Sequence, residues 1–229
     1  MTTFAMHQPN YIPWLGYFYK MFHCDVFVYL DTVQYPQGRS FSARNRIKTP
    51  QGATYLTIPV QLPHGHGRTL YSEVAFANDT WREKHLRSVA LSYKRAPYFD
   101  EIYPLYEAPL RSQQRFVDLN IALIEAFAAY LGISSRRVRL SELPGDFGHK
   151  SKLIADIGRA LEASVYLSGT GGGKVYNDTA VLHEHGIELI YSKFEYPRYT
   201  QLWDDFTADL SILDVLFNCG PETRRLLES

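Results

Sequence analysis

The reading of the fold turns on Thr3-Phe4-Ala5-Met6-His7-Gln8-Pro9-Asn10-Tyr11-Ile12-Pro13-Trp14-Leu15-Gly16-Tyr17-Phe18 and the residues that follow it to Asp31. Thr3 to Met6 is a short apolar run that reads as a strand. His7 and Gln8 end it, and Pro9 and Pro13 close off further strand and let a helix begin. From Trp14 the residues Trp14, Leu15, Phe18, Met21 and Phe22 recur at helical spacing, with Lys20 and His23 between them. Asp25 to Asp31 then forms a second strand. Strand, polar tip, helix, strand is a βαβ unit, and polar groups at the carboxyl end of its first strand are placed to build a site.

Further along, Ser40–Lys48 and Ala53–Val60 read as a hairpin, and Ser72–Ala77 as another strand. Trp81–Ser92 is a helix broken at Ala96-Pro97-Tyr98-Phe99, with a short helix before Pro104. Ser112–Leu131 is a helix ended by Gly132. Arg137–Leu140 is a strand, Lys150–Leu161 a helix, and Ser164–Leu167 a strand running into Ser168-Gly169-Thr170-Gly171-Gly172-Gly173-Lys174. Helix 175–185, strand 187–191 and a helix through Phe217 follow. Strands alternating with helices at both ends define an α/β fold with a mostly parallel, Rossmann-like sheet flanked by helices. The stretch from about 35 to 110 reads as a β-rich and helical insertion in a single domain spanning 1–229.

The chain has 229 residues, 45% hydrophobic and 21% charged, which suits a globular protein with a substantial core. Its formal net charge is +0, so bulk charge makes no case for nucleic acid or an anionic membrane as partner. No apolar run reaches the roughly 18 residues of a membrane span. The start lacks a secretory signal pattern, and Cys24 and Cys219 alone make no disulfide framework, which together imply a cytoplasmic location.

Several polar clusters carry chemistry. His7 offers an imidazole to a phosphate or carbonyl, or else it caps the local backbone. Asp31, ending the second strand, orients His7, accepts from a ribose or amine, helps hold Mg²⁺, or simply closes a turn. Arg44-Asn45-Arg46 presents guanidinium forks suited to phosphate or carboxylate, and strand alternation puts Arg44, Arg46 and Lys48 on one face. Lys150-Ser151 at a helix start suits an oxyanion, or Ser151 is a plain cap. Ser168, Gly169, Gly171 and Gly172 allow a ligand close to the backbone. The pairs His64/His66 and His183/His185 are weak metal candidates, and no metal site is expected. Cys219 ends a helix and reads as structural.

The opening His7-Gln8-Pro9-Asn10-Tyr11-Ile12-Pro13-Trp14-Leu15-Gly16-Tyr17-Phe18, with Asp25-Val26-Phe27-Val28, Asn45-Arg46, Lys150-Ser151, Tyr166-Leu167-Ser168-Gly169 and Leu216-Phe217-Asn218-Cys219-Gly220, resembles the WbqC-like family from end to end. The resemblance implies a bacterial protein associated with O-antigen, other surface polysaccharides or specialised metabolites. A more distant likeness, a strand ending in His followed by a helix and D-V-x-V, is to the adenylate-forming HUP-type enzymes, among them pantothenate synthetase and class I aminoacyl-tRNA synthetases. This chain has one His where those have two. That likeness implies ATP with Mg²⁺ as cofactor. Together these lead to two expectations. One is acyl or aminoacyl transfer to an amine, such as a nucleotide-linked amino sugar. The other is a non-catalytic nucleotide- or sugar-binding module. A metal-dependent hydrolase is a third, minor reading. Expected catalytic residues are His7, Asp31 and Lys150. Expected contacts to the nucleotide, sugar or amine are Gln8, Asn10, Tyr11, Arg44, Asn45, Arg46, Ser151, Ser168, Gly169, Gly171, Gly172, Tyr176 and Asn218.

Overall fold

The computed structural model describes residues 1–38, 40–170, 177–203 and 205–228. Five parallel strands form the central sheet: β1 (Thr3–His7), β2 (Val26–Tyr29), β7 (Arg136–Arg139), β8 (Val165–Ser168) and β9 (Glu188–Tyr191), in the order β7-β2-β1-β8-β9. The chain builds outward from β1 to β2 and β7, then returns to the other side of β1 for β8 and β9. This is the doubly wound order, and the direction of winding reverses between β1 and β8.

Both faces of the sheet are covered. Ala5, Phe27, Tyr29 and Leu167 point into one core with α1 (Leu15–Phe22), α4 (Phe116–Tyr130) and α7 (Ile212–Cys219). Their neighbours Phe4, Val26, Val28 and Tyr166 point into a second core with α5 (Ser151–Ala160) and α6 (Thr179–Glu184). Burial on both sides is why these strands read as continuous apolar runs rather than alternating ones. Gly132, with φ +62°, ends the turn after α4 as expected.

The crossover from β2 to β7 carries the expected β-rich and helical segment. It holds the antiparallel pair β3 (Arg44–Thr49) and β4 (Gly52–Thr57), the short pair β5 (Val60–Gln61) and β6 (Ala75–Phe76), and helices α2 (Thr80–Tyr93) and α3 (Phe99–Ser112). Two expectations are corrected here. Ser72–Ala77 starts in the 3₁₀ turn Tyr71–Glu73 and is strand only at Ala75–Phe76. The short helix before Pro104 is instead the unbroken α3, with Pro104 and Pro109 inside it. Ile102, Tyr106 and Leu110, four residues apart, are buried on its inner face, while Pro104 is exposed, where water can take the bond it frees. A last short helix, α8 (Arg225–Glu228), ends the described chain, and no helix among the described residues is long and apolar enough to cross a membrane.

Candidate functional site

At the switch point the two central strands part. The β1–β8 ladder pairs Thr3 with Val165 and Phe4 with Tyr166 and goes no further. The carbonyls of Thr3 and His7 accept from Asp25 and Leu30 on the β2 side, so alternation turns the Met6 carbonyl toward β8. No strand meets it there. The Lys20 ammonium of α1 does, with Nζ donating to Met6 O at 3.2 Å.

The parted strand ends open into a crevice of about 660 Å³, lined by Met6, His7 and Gln8 from β1 and its tip, and by Ser168, Gly169 and Thr170 from the end of β8. Trp14, Gly16 and Lys20 supply a second wall, and Ser192 and Phe194 a third. Gly16 and Lys20 are four apart and share a helix face. A Cβ on Gly16 would lie 2.8 Å from Phe194 Cδ1 and 2.9 Å from Trp14 Nε1, so glycine is what lets those two rings close over α1. Ser192 is held by its N–H on Ser168 O at 2.7 Å, and its hydroxyl accepts from Phe194 N.

Lys20 is 5% exposed, and among the described residues it has no carboxylate partner. Burial pushes its ammonium down to about 8, opposed in part by the Cys24 thiol. It is therefore still charged at neutral pH, and no described residue supplies a counterion. His7 packs edge-on to Trp14 at 5.5 Å and against Tyr17 at 5.0 Å. Its Nδ1 lies 3.0 Å from Gln8 O; a carbonyl only accepts, so Nδ1 carries the proton and Nε2 keeps a lone pair. Desolvation first, then the Lys20 charge, push the imidazole down to about 3, against the Gln8 bond that favours its cation. The crevice thus holds one buried cation and one neutral imidazole. Such a pair attracts an anionic group and offers an acceptor beside it.

The structure brings His7, Gln8, Ser168 and Gly169 to this crevice and places the other described residues of the expected set elsewhere. Asp31 does not orient His7; its carboxylate accepts from the N–H and hydroxyl of Ser141, at 3.0 and 2.6 Å. Asn10 accepts from Ser42, and the Tyr11 hydroxyl is buried with His85 and Tyr106. Asn45 donates to Ile12 O and accepts from Arg46 N. Arg46 donates to the carbonyls of Ala208 and Asp209, and the buried Lys48 to Gln201 and the Asp205 carbonyl. The like charges on this face of β3 are thus absorbed by a chain segment rather than gathered at the crevice. Arg44 stands over the Tyr55 ring. Lys150 precedes α5 with φ +55°, and Ser151 accepts from Asp178 N. Asn218 bonds Leu202 N and Asp214 O. Gly171, Gly172 and Tyr176 lie outside the described residues.

Lys20 is the residue that motif reading passed over. Its signal was local: it is the single charge in Leu15–Phe22, a helix otherwise apolar or aromatic and buried from Leu15 to Met21. The described lining includes no carboxylate, so a bound phosphate fits the residues present, whereas Mg²⁺ finds only neutral oxygens, such as those of Gln8, Ser168, Thr170 and Ser192, among their side chains. Among the described residues no group of three or more His, Cys, Asp or Glu is gathered as a metal site.

Fold and site define a doubly wound α/β protein with a polar crevice at its switch point. The chain belongs to the WbqC-like protein family, whose model matches residues 8–226. It is similar to a Mycobacterium tuberculosis protein named uncharacterized protein Rv1507c, 34% identical over 226 residues that cover 97% of this chain and 96% of that one. No solved structure matches the chain.

Proposed function

We propose that the switch-point crevice binds a phosphorylated small molecule, a nucleotide or nucleotide-linked amino sugar, and transfers an acyl or aminoacyl group to its amine. The observation that carries this reading is the buried Lys20 ammonium, which no carboxylate among the described residues neutralises, set in the gap between β1 and β8. In doubly wound folds this is where nucleotides dock. The neutral amine attacks the carbonyl of an activated acyl donor, forming the C–N bond. Lys20 stabilises the oxyanion or the donor's phosphate, a role worth several kcal/mol when preorganised. The amine proton passes to His7 Nε2, and the donor's leaving group departs as the carbonyl reforms. A bound anion that offsets the Lys20 charge makes His7 more basic than in the empty crevice, because Lys20 is one of the two causes of its low pKa. ATP serves as the activating partner in this reading, and the place of action is the biosynthesis of bacterial surface polysaccharides or specialised metabolites, in the cytoplasm.

The low basicity of His7 favours one alternative: a binding module in which the imidazole is only a hydrogen-bond acceptor. Calorimetry with ATP and with nucleotide-linked amino sugars, paired with an acyl-transfer assay, separates the two. Lys20→Gln is expected to weaken nucleotide binding by roughly tenfold or more. His7→Ala is expected to retain binding and lose transfer. Full in vivo complementation by His7→Ala, with no transfer by wild type in the assay, favours the module; full transfer by His7→Ala removes His7 from the chemistry. Absence of binding to either ligand class rejects both.

A further inference from the structure

A second cavity, of about 570 Å³, lies in the segment between β2 and β7, lined by the apolar Tyr35, Ala43, Ile58, Val60 and Leu62 together with Arg44. No Asp or Glu is among its lining residues. The Arg44 guanidinium is steadied by the Tyr55 ring, 4.3 Å from its centroid. Its Nε is buried and meets no acceptor, and among the described residues no carboxylate pairs with it. A buried donor left without a partner is uncommon and costly.

We propose that this cavity is a second ligand site, for a carboxylate carried on an apolar body such as a medium-chain or arylalkyl acid. A guanidinium fork matches a carboxylate in two parallel hydrogen bonds, and the apolar walls suit the tail. Among the described lining residues Arg44 is the one Lys or Arg, and a phosphate dianion is better matched by more than one such donor. The site stands next to the crevice in the chain's own construction. Ser40 and Ala43 line the second cavity, while Phe41 between them packs on Trp14 of the crevice wall, at 5.9 Å. Ser42 is pinned to the opening motif: its carbonyl accepts from Tyr11 N and Asn120 Nδ2, and its hydroxyl donates to Asn10. One short, anchored segment therefore lines the second cavity and packs on a wall residue of the crevice. The assignment does not rest on what the crevice binds.

Calorimetry on the full chain with octanoate, octanol and inorganic phosphate tests it. Octanoate is expected to bind, octanol to bind roughly ten- to hundredfold more weakly, and Arg44→Gln to weaken octanoate by a similar factor. Arg44→Lys should fall between, and Lys20→Gln should leave octanoate binding unchanged. Circular dichroism checks folding. Should Arg44→Gln fail to fold, Leu62→Trp fills the cavity from its partly exposed wall and is expected to exclude octanoate. The proposal is overturned if wild type ignores octanoate or holds octanol equally well. It is also overturned if phosphate displaces octanoate, or if binding survives in folded Arg44→Gln or Leu62→Trp. Loss in Lys20→Gln instead would move octanoate to the crevice and equally reject the second site.

Discussion

At the scale of single residues, Lys20 decides what the crevice is. Its pKa, lowered from 10.5 to about 8, corresponds to about 3 kcal/mol of cost for keeping an ammonium where water is excluded. The sign follows from the proton count. Between pH 8 and 10.5 the unfolded chain holds this proton and the folded one does not, so folding stability gains as pH rises through that window. Urea denaturation from pH 7 to 10.5 should show wild type gaining stability relative to Lys20→Met, with the change concentrated above pH 8. Below pH 8 the offset between the two should stay constant. Little of this was legible beforehand. His7 and Gln8 were visible because prolines and a change of periodicity follow them. Lys20 sits inside a helix, and one-dimensional patterning cannot tell a lysine reaching water from one filling a gap between strands. Asp31 and Arg46 failed as crevice groups for a related reason. Their sequence context announces polar side chains, but the partners that satisfy them, Ser141 and the Ala208–Asp209 backbone, lie more than a hundred positions away.

At the scale of elements, the strands and most helices followed from periodicity, since the βαβ units at each end are local patterns with both faces buried. Helix α3 did not, because proline is a local signal and the packing of Ile102, Tyr106 and Leu110 is a tertiary one. The same contest gives a prediction. Pro104 is exposed and lacks the N–H that a helix interior uses, so Pro104→Ala should raise stability by about 1 kcal/mol, less than the full proline penalty because the unfolded chain also gains freedom. Thermal denaturation measures it. A lower melting temperature would mean that the ring itself contributes to packing.

At the scale of the whole molecule, residues 192–211 link the two halves of the structure. They begin at the crevice with Ser192 and Phe194, run without helix or strand among their described residues, and meet β3 through Arg46 and Lys48. Tyr199 then joins Tyr93 on the buried Asp214 carboxylate, each at 2.8 Å. Long segments of this kind are commonly functional. Arg46→Ala, which touches no crevice ligand, should weaken nucleotide binding by roughly two- to tenfold by loosening the wall that carries Phe194. Calorimetry beside Lys20→Gln gives the comparison; an unchanged affinity would show that Phe194 is held independently of β3.

The central position of β1 also constrains how the chain can be made. Thr3 pairs with Val165, so β1, which is synthesised long before β8, waits for that strand before its second edge is covered. Pairings so distant along the chain make folding slow and leave a strand edge open to other chains meanwhile. Lys20 lies close to β1 in sequence and covers Met6 O without needing β8. The same buried charge is therefore also suited to guarding β1 against mispairing until β8 has been made.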